Sequence, residues 1–76
     1  MWSQRTINGY VCWIKHYEEG SEYGIDNGDR DNGGRISKLS IRKGDKELFN
    51  YDRGLDFDNL DDGGNAVYKQ ILEMYN

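Results

Sequence analysis

An Asn8-Gly9 step between two strand-like runs constrains this chain more than any other feature of its sequence. Asn-Gly favours a two-residue type I′ turn, because both central residues of that turn need positive φ angles, and the turn sets the register of the flanking strands. Apolar and β-branched residues lie on both sides of the step. The sequence therefore predicts a β-hairpin over residues 2–17.

The second strand of this hairpin carries two alternating sets of side chains. One face would present Val11, Trp13, Lys15 and Tyr17, and the other Tyr10, Cys12, Ile14 and His16. Because both sets include apolar residues, we expect this strand to lie inside the sheet, with both of its faces covered for part of its length.

A second hairpin is predicted over residues 35–53. Ser37, Leu39 and Ile41 alternate with Lys38, Ser40 and Arg42, and Phe49 and Tyr51 share a face further along. Between these runs, residues 43–46 contain a Gly-Asp step typical of a turn. The basic residues of the first run have acidic segments on both sides in the sequence, so we expect them to form ion pairs with neighbouring acids. The alternative is a charge-patterned surface that docks a partner, with Lys38 and Arg42 on its basic strand face.

The end of the chain has the spacing of an amphipathic helix. Its apolar stripe consists of Val67, Tyr68, Ile71, Leu72 and Tyr75. Two starts are open: Asp58 as a cap with Asp61 three residues later, or Asn65 as a later cap. The later start avoids Gly63 and Gly64 inside the helix, where each would cost about 1 kcal/mol relative to Ala.

Together these elements predict an α+β fold, a four-stranded antiparallel sheet of two hairpins with one C-terminal helix packed on one face. The helix would contact Trp13 or Ile14 together with Leu39, Ile41, Phe49 and Tyr51. A chain of 76 residues is too short to bury a second core, so residues 1–76 are expected to form a single domain.

A long acidic, glycine-rich loop is predicted at residues 18–34, which hold five glycines and six carboxylates against one arginine. Loops of this length in compact domains are often functional. A second acidic segment covers residues 52–62. The candidate partner-binding residues from the two segments are Glu18, Glu19, Glu22, Tyr23, Asp26, Asp29, Asp31, Asp56 and Asp58.

Composition excludes several classes of protein. The chain has 14 acidic and 10 basic residues and a net charge of −4, which argues against a general DNA or anionic-membrane binder. One cysteine excludes an intramolecular disulfide and a cysteine-rich zinc site. The sequence has neither a signal peptide nor an apolar run near the ~20 residues of a membrane span, so we expect a cytoplasmic protein.

No catalytic or metal-binding set of residues is evident, so we expect neither an enzyme nor a cofactor. Cys12 and His16 would share a strand face about 13 Å apart, too far for a nucleophile and its base. Asp29 and Asp31 partly match the start of an EF-hand calcium loop, but Ser40 stands where the bidentate Glu is needed.

Three stretches of the sequence resemble a family of small uncharacterised bacterial and phage proteins: Glu22-Tyr23-Gly24-Ile25, Gly33-Gly34-Arg35-Ile36-Ser37-Lys38-Leu39-x-Ile41-Arg42 and Asn50-Tyr51-Asp52-Arg53-Gly54. The similarity covers most of the chain, although residues 26–32 look like an expanded connection. The resemblance implies a mobile-element context, in which small acidic proteins bind and block host defence machinery, as anti-CRISPR proteins do.

The functional hypothesis is therefore a non-enzymatic binding protein, a phage-derived inhibitor that blocks a larger bacterial defence protein through its acidic surface. A partner with a basic nucleic-acid channel would suit such a surface, because complementary charge speeds association. The alternative is a small-ligand protein or sponge, which could be oligomeric and would hold an anionic nucleotide with Tyr23, Arg35 and Arg53.

Overall fold

The computed structural model describes residues 1–21, 24–25 and 33–76. Its elements are β1 (Trp2–Ile7), β2 (Tyr10–His16), β3 (Ile36–Lys43), β4 (Lys46–Asp52), β5 (Leu55–Asp58) and α1 (Asp62–Tyr75). The strands form one antiparallel sheet in the order β1-β2-β3-β4-β5, with β3 at its centre. Each strand therefore pairs with its neighbour in sequence, and α1 follows the sheet.

The predicted four-stranded sheet is wrong, because β5 adds a fifth strand beside β4. Phe49 pairs with Asp58 and Asn50 pairs with Phe57 across this edge. The four residues of β5 bury little, and Leu55 is 62% exposed. Backbone hydrogen bonds to β4, and not buried side chains, hold this short edge strand. Its acidic sequence therefore lacks the apolar alternation that would predict a strand.

Both predicted hairpin turns are present. Asn8 and Gly9 have φ angles of 53° and 83°, the two positive values that a type I′ turn needs. In the second hairpin, Lys43 pairs with Lys46, and Gly44 adopts a φ of 61°. These turns fix which side chains of β1 to β4 share a face, because side chains alternate along each strand.

Helix α1 covers one face of the sheet, and the core lies between them. Its buried residues are Tyr10, Cys12, Ile14, Ile25, Ile36, Leu39, Ile41, Phe49, Val67 and Ile71. Of the two candidates on β2, Ile14 is the core residue, while Trp13 lies on the opposite face and is 44% exposed. β2 lies inside the sheet, between β1 and β3, as predicted, and its face opposite the helix is exposed at Trp13.

The helix begins at Asp62, with Asp61 as its N-cap, so neither Asp58 nor Asn65 caps it. The Asp61 carboxylate accepts hydrogen bonds from the Gly64 amide at 2.7 Å and from the Tyr10 hydroxyl at 2.6 Å. These hydrogen bonds lower the pKa of Asp61, and the one with Asp61 raises the pKa of Tyr10. A side chain at position 63 would contact the Tyr10 hydroxyl, which explains the glycine there.

The other end of the helix is attached to the sheet by the side-chain amide of Asn76. Its oxygen accepts a hydrogen bond from the Ile36 amide at 3.0 Å, and its nitrogen donates one to the Ile25 carbonyl at 3.0 Å. The amide thus bridges two backbone segments as a peptide group would. A Cβ atom on Gly34 would overlap this side chain, so the residue that packs there must lack one.

We predict that replacing Leu39 or Ile71 with Ala lowers the free energy of unfolding by about 2–5 kcal/mol each, because truncating either buried side chain leaves a cavity between sheet and helix. Denaturant titration followed by circular dichroism measures the change. Met74→Ala, on the exposed side of α1, is the control and should change stability by less than about 0.5 kcal/mol. Losses below about 1 kcal/mol at both core positions would contradict the described packing.

A second prediction concerns the Asn76 bridge. Asn76→Ala removes both the acceptor of the Ile36 amide and the donor to the Ile25 carbonyl, so we expect the free energy of unfolding to fall by about 1–3 kcal/mol. Hydrogen exchange of the Ile36 amide should accelerate together with this loss. Exchange at Ile36 equal to that of the wild type would show that the bridge does not hold this corner.

Candidate functional site

The sheet face opposite α1 carries three rows of cross-strand neighbours. Directly paired residues lie on the same face of a sheet. The rows are Trp2-Lys15-Lys38-Asp52, Gln4-Trp13-Ser40-Asn50-Phe57 and Thr6-Val11-Arg42-Glu47. We call these residues the open face.

Exposed aromatic side chains dominate one end of the open face. Trp2 is 54% exposed and Trp13 is 44% exposed, and these are the chain's two tryptophans. Tyr17, just beyond the end of β2, is 47% exposed. Large exposed aromatic groups are the residues that most often carry binding energy at protein interfaces.

Cations lie among these aromatic groups. The Lys15 ammonium is 5.8 Å from the centre of the Trp2 ring and 5.9 Å from that of Tyr17, both within cation–π range. Lys38 and Arg42 form ion pairs with Asp52 and Glu47 at 3.6 and 3.5 Å. Solvent-exposed pairs of this kind contribute only about 0–1 kcal/mol, so a partner can replace them at little cost.

A groove of about 500 Å³ crosses the open face. Its lining includes Trp2, Trp13, Lys38, Arg42, Asn50 and Asp52, from strands β1 to β4. Apolar walls with a few polar groups are typical of binding grooves, because the walls supply affinity and the polar groups fix orientation.

The described acidic candidates lie at separate places. Glu18 and Glu19 are exposed after the end of β2, whereas Asp56 and Asp58 belong to β5, beyond two intervening strands. Asp56 accepts a hydrogen bond from the Asn50 amide, and Asp58 accepts one from the Leu60 backbone. Glu22, Tyr23, Asp26, Asp29 and Asp31 lie outside the described residues.

The residues proposed for an anionic ligand are also divided. Arg53 lines a small cleft with Lys15 and Lys38. Arg35 lines a different pocket beside His16 and donates a hydrogen bond to the Asn76 carbonyl. Tyr23, the third member of that set, is outside the described residues.

Cys12 is buried in the core beneath the helix. Burial raises the pKa of its thiol to about 11, because the thiolate would lose its hydration. The thiol is therefore protonated at neutral pH and is a poor nucleophile.

His16, the chain's single histidine, lies on the helix side of the sheet. Its ring packs 4.6 Å from that of Tyr75, and its Nε2 shares a 2.9 Å hydrogen bond with the Ser3 hydroxyl. Burial lowers the pKa of His16, and the positive charges of the N-terminus and Arg35 lower it further. The residue is thus a neutral packing group at physiological pH.

Residues 1–21, 24–25 and 33–76 contain no group of three or more His, Cys, Asp or Glu side chains placed to hold a metal ion. In the same part of the chain no helix is long and apolar enough to cross a membrane; α1 has 14 residues.

The densest charge of the sequence lies in the acidic segments, which are therefore predicted as the binding surface. Of the open face, the sequence analysis indicates only the basic strand with Lys38 and Arg42, as an alternative docking surface, and does not predict the aromatic part. A usable signal was present, since the alternation in β2 already grouped Trp13, Lys15 and Tyr17 on one face. The Asn8-Gly9 turn fixes the register that places Trp2 beside Lys15. Combining these two observations would have predicted the aromatic part of the face.

Comparison with known proteins gives a single finding. A family model described as a domain of unknown function (DUF7678) matches residues 1–76. No curated protein and no solved structure matches the chain significantly. The match confirms an uncharacterised family of small domains and carries no phage or anti-defence link.

A third prediction follows from the environment of His16. Because its pKa is lower in the folded protein than the ordinary value of about 6.5, the unfolded chain takes up the proton first as the pH falls. Stability should therefore be highest above about pH 6.5 and fall as the pH drops toward the lowered pKa. Urea titrations at pH 7.5 and pH 5.5 compare wild type with His16→Gln. Equal losses in the two proteins would assign the effect to other groups.

Proposed function

This chain belongs to the DUF7678 family of small domains, and we propose that it is a non-enzymatic binding protein whose open face docks an acidic segment of a larger protein. The observation that carries the proposal is the pair of exposed tryptophans beside cations on one side of a groove. Leaving two such side chains in water gains the folded monomer little. The free-energy cost of exposing these tryptophans to water is offset when a partner covers them, because burial removes apolar surface from water.

The charges of the open face favour an acidic partner. Lys15, Lys38 and Arg42 outnumber the carboxylates of Asp52 and Glu47 on this face. A second copy docked by the same face would bring two surfaces of net positive charge together, since a two-fold interface uses one patch twice. A nucleic acid would be repelled by the net charge of −4, whereas a local acidic segment of a protein would feel mainly the nearby cations.

Inhibition of a bacterial defence protein, by a protein of phage origin, is the finer part of the proposal. It is supported by the sequence resemblance described above. A second surface formed by the acidic residues of 18–34 remains a proposal as well, and the exposure of Glu18 and Glu19 favours it. The two surfaces call for partners of opposite charge, so they can be tested against each other.

The fourth prediction is that Trp13→Ala weakens partner binding by about thirtyfold or more, as the loss of a central aromatic anchor of about 2 kcal/mol does. The wild-type chain is immobilised, and partners are captured from a nuclease-treated bacterial lysate. A purified partner is then titrated while tryptophan fluorescence is recorded, because both tryptophans lie on the open face. Circular dichroism confirms that the variant is folded.

Glu18→Gln combined with Glu19→Gln is the matched control, since both side chains are exposed and lie outside the groove. This variant should bind the partner as the wild type does. A partner that is insensitive to Trp13→Ala but lost with the two glutamate changes would refute docking on the open face and favour the acidic surface. A partner with a basic contact surface would contradict the proposed charge of the occupant.

A further inference from the structure

A second cleft of about 240 Å³ lies at one end of the open face, where β2 and β4 end and β3 begins. Its lining consists of Lys15, Tyr17, Ser21, Ser37, Lys38 and Arg53. Three of these side chains are cations and three carry hydroxyl groups. Among the described residues, no carboxylate lines the cleft.

The two lysines of this cleft have different surroundings. Lys38 has Asp52 at 3.6 Å, a long contact between two partly exposed groups. Lys15 contacts the Trp2 and Tyr17 rings and, within the described part of the chain, forms no ion pair. A chain with a net charge of −4 therefore brings three cations together at one point of its surface.

Arg53 occupies a backbone conformation that suits glycine or asparagine better. Its φ angle is 58°, in the left-handed region, which a residue with a long side chain such as Arg adopts only at a cost in free energy. The neighbouring strand β3 holds it there, because the Arg53 amide donates a 2.8 Å hydrogen bond to the Ser37 carbonyl. This position places a long cationic side chain beside Lys15 and Lys38 in the lining of the cleft.

We propose that this cleft binds a phosphate group. Arg53 would supply the forked donor pair that matches two phosphate oxygens, and Lys15 and Lys38 would supply charge. The Tyr17 hydroxyl adds a further donor at the same place, whereas the Ser37 hydroxyl donates to the Lys15 carbonyl at 3.5 Å. A carboxylate has only two oxygens for this many donors, so a tetrahedral oxyanion fits the cleft better.

The site is distinct from the groove that docks a protein, and its test uses small anions. Inorganic phosphate is titrated into the full chain at constant ionic strength, with chloride as the balancing anion. Tryptophan fluorescence is the first measurement, because Lys15 contacts the Trp2 ring and a bound phosphate would draw its ammonium away. Thermal unfolding is the second, because a ligand that binds only the folded state raises the midpoint.

We expect saturable changes in both measurements at millimolar phosphate. Arg53→Gly should weaken the affinity by about tenfold or more, since it removes a charge-assisted donor pair, while its midpoint without phosphate stays equal or rises as the φ strain is relieved. Lys69→Met, which removes an exposed cation from α1, is the matched control and should leave the affinity unchanged.

Three results would overturn the proposal: no saturable change in wild type, equal affinities for Arg53→Gly and Lys69→Met, or acetate binding as tightly as phosphate. Nucleoside monophosphate and phosphoserine, each titrated in the same way, identify the source of the phosphate group. Tighter binding of either one than of inorganic phosphate supports the site and assigns the molecule that carries the group. Equal binding of all three supports a site for the phosphate group alone.

Discussion

The hydrogen bond from the Tyr10 hydroxyl to the Asp61 carboxylate fixes the start of α1 against the sheet face that carries the apolar core. The same carboxylate caps the first turn through the Gly64 amide, so one side chain both ends the preceding loop and docks the helix on β2. With Asn76 bridging Ile25 and Ile36 at the other end, α1 is attached to the sheet at both termini. The opposite face is left uncovered as a direct consequence, and that is where the exposed tryptophans lie.

The parts of the fold that depend on local signals could be predicted from the sequence. Asn8-Gly9, the alternation in β3 and the apolar stripe of α1 all act within a few residues, and each element lies where its pattern indicates. The start of the helix could not be found this way, because Asp61 is selected by Tyr10, 51 positions earlier. The strand β5 was missed for a related reason, since it is held by pairing with β4 rather than by burial of its own side chains.

Gly24 and Gly34, two glycines of the stretches that carry the family resemblance, have a structural explanation that the sequence alone did not supply. A Cβ atom on Gly24 would overlap the backbone of Gly34, and one on Gly34 would overlap the Asn76 amide. The backbones at Gly24 and Gly34 are therefore in direct contact within the 18–34 segment. This corner sets the start of β3 and, with it, the positions of Ser37 and Lys38 at the phosphate cleft.

The candidate sites lie where the sequence departs from what stability alone would select. A sheet this small gains most from aromatic groups packed under its helix, yet both tryptophans lie on the other face. A turn that needs a positive φ would be less strained with glycine, yet Arg53 occupies it and Gly54 follows with no such requirement. Residues that lower the stability of the isolated monomer are most simply explained by what this face binds. Lys38 lines both the groove and the cleft, so the two proposed sites lie next to each other on the same surface.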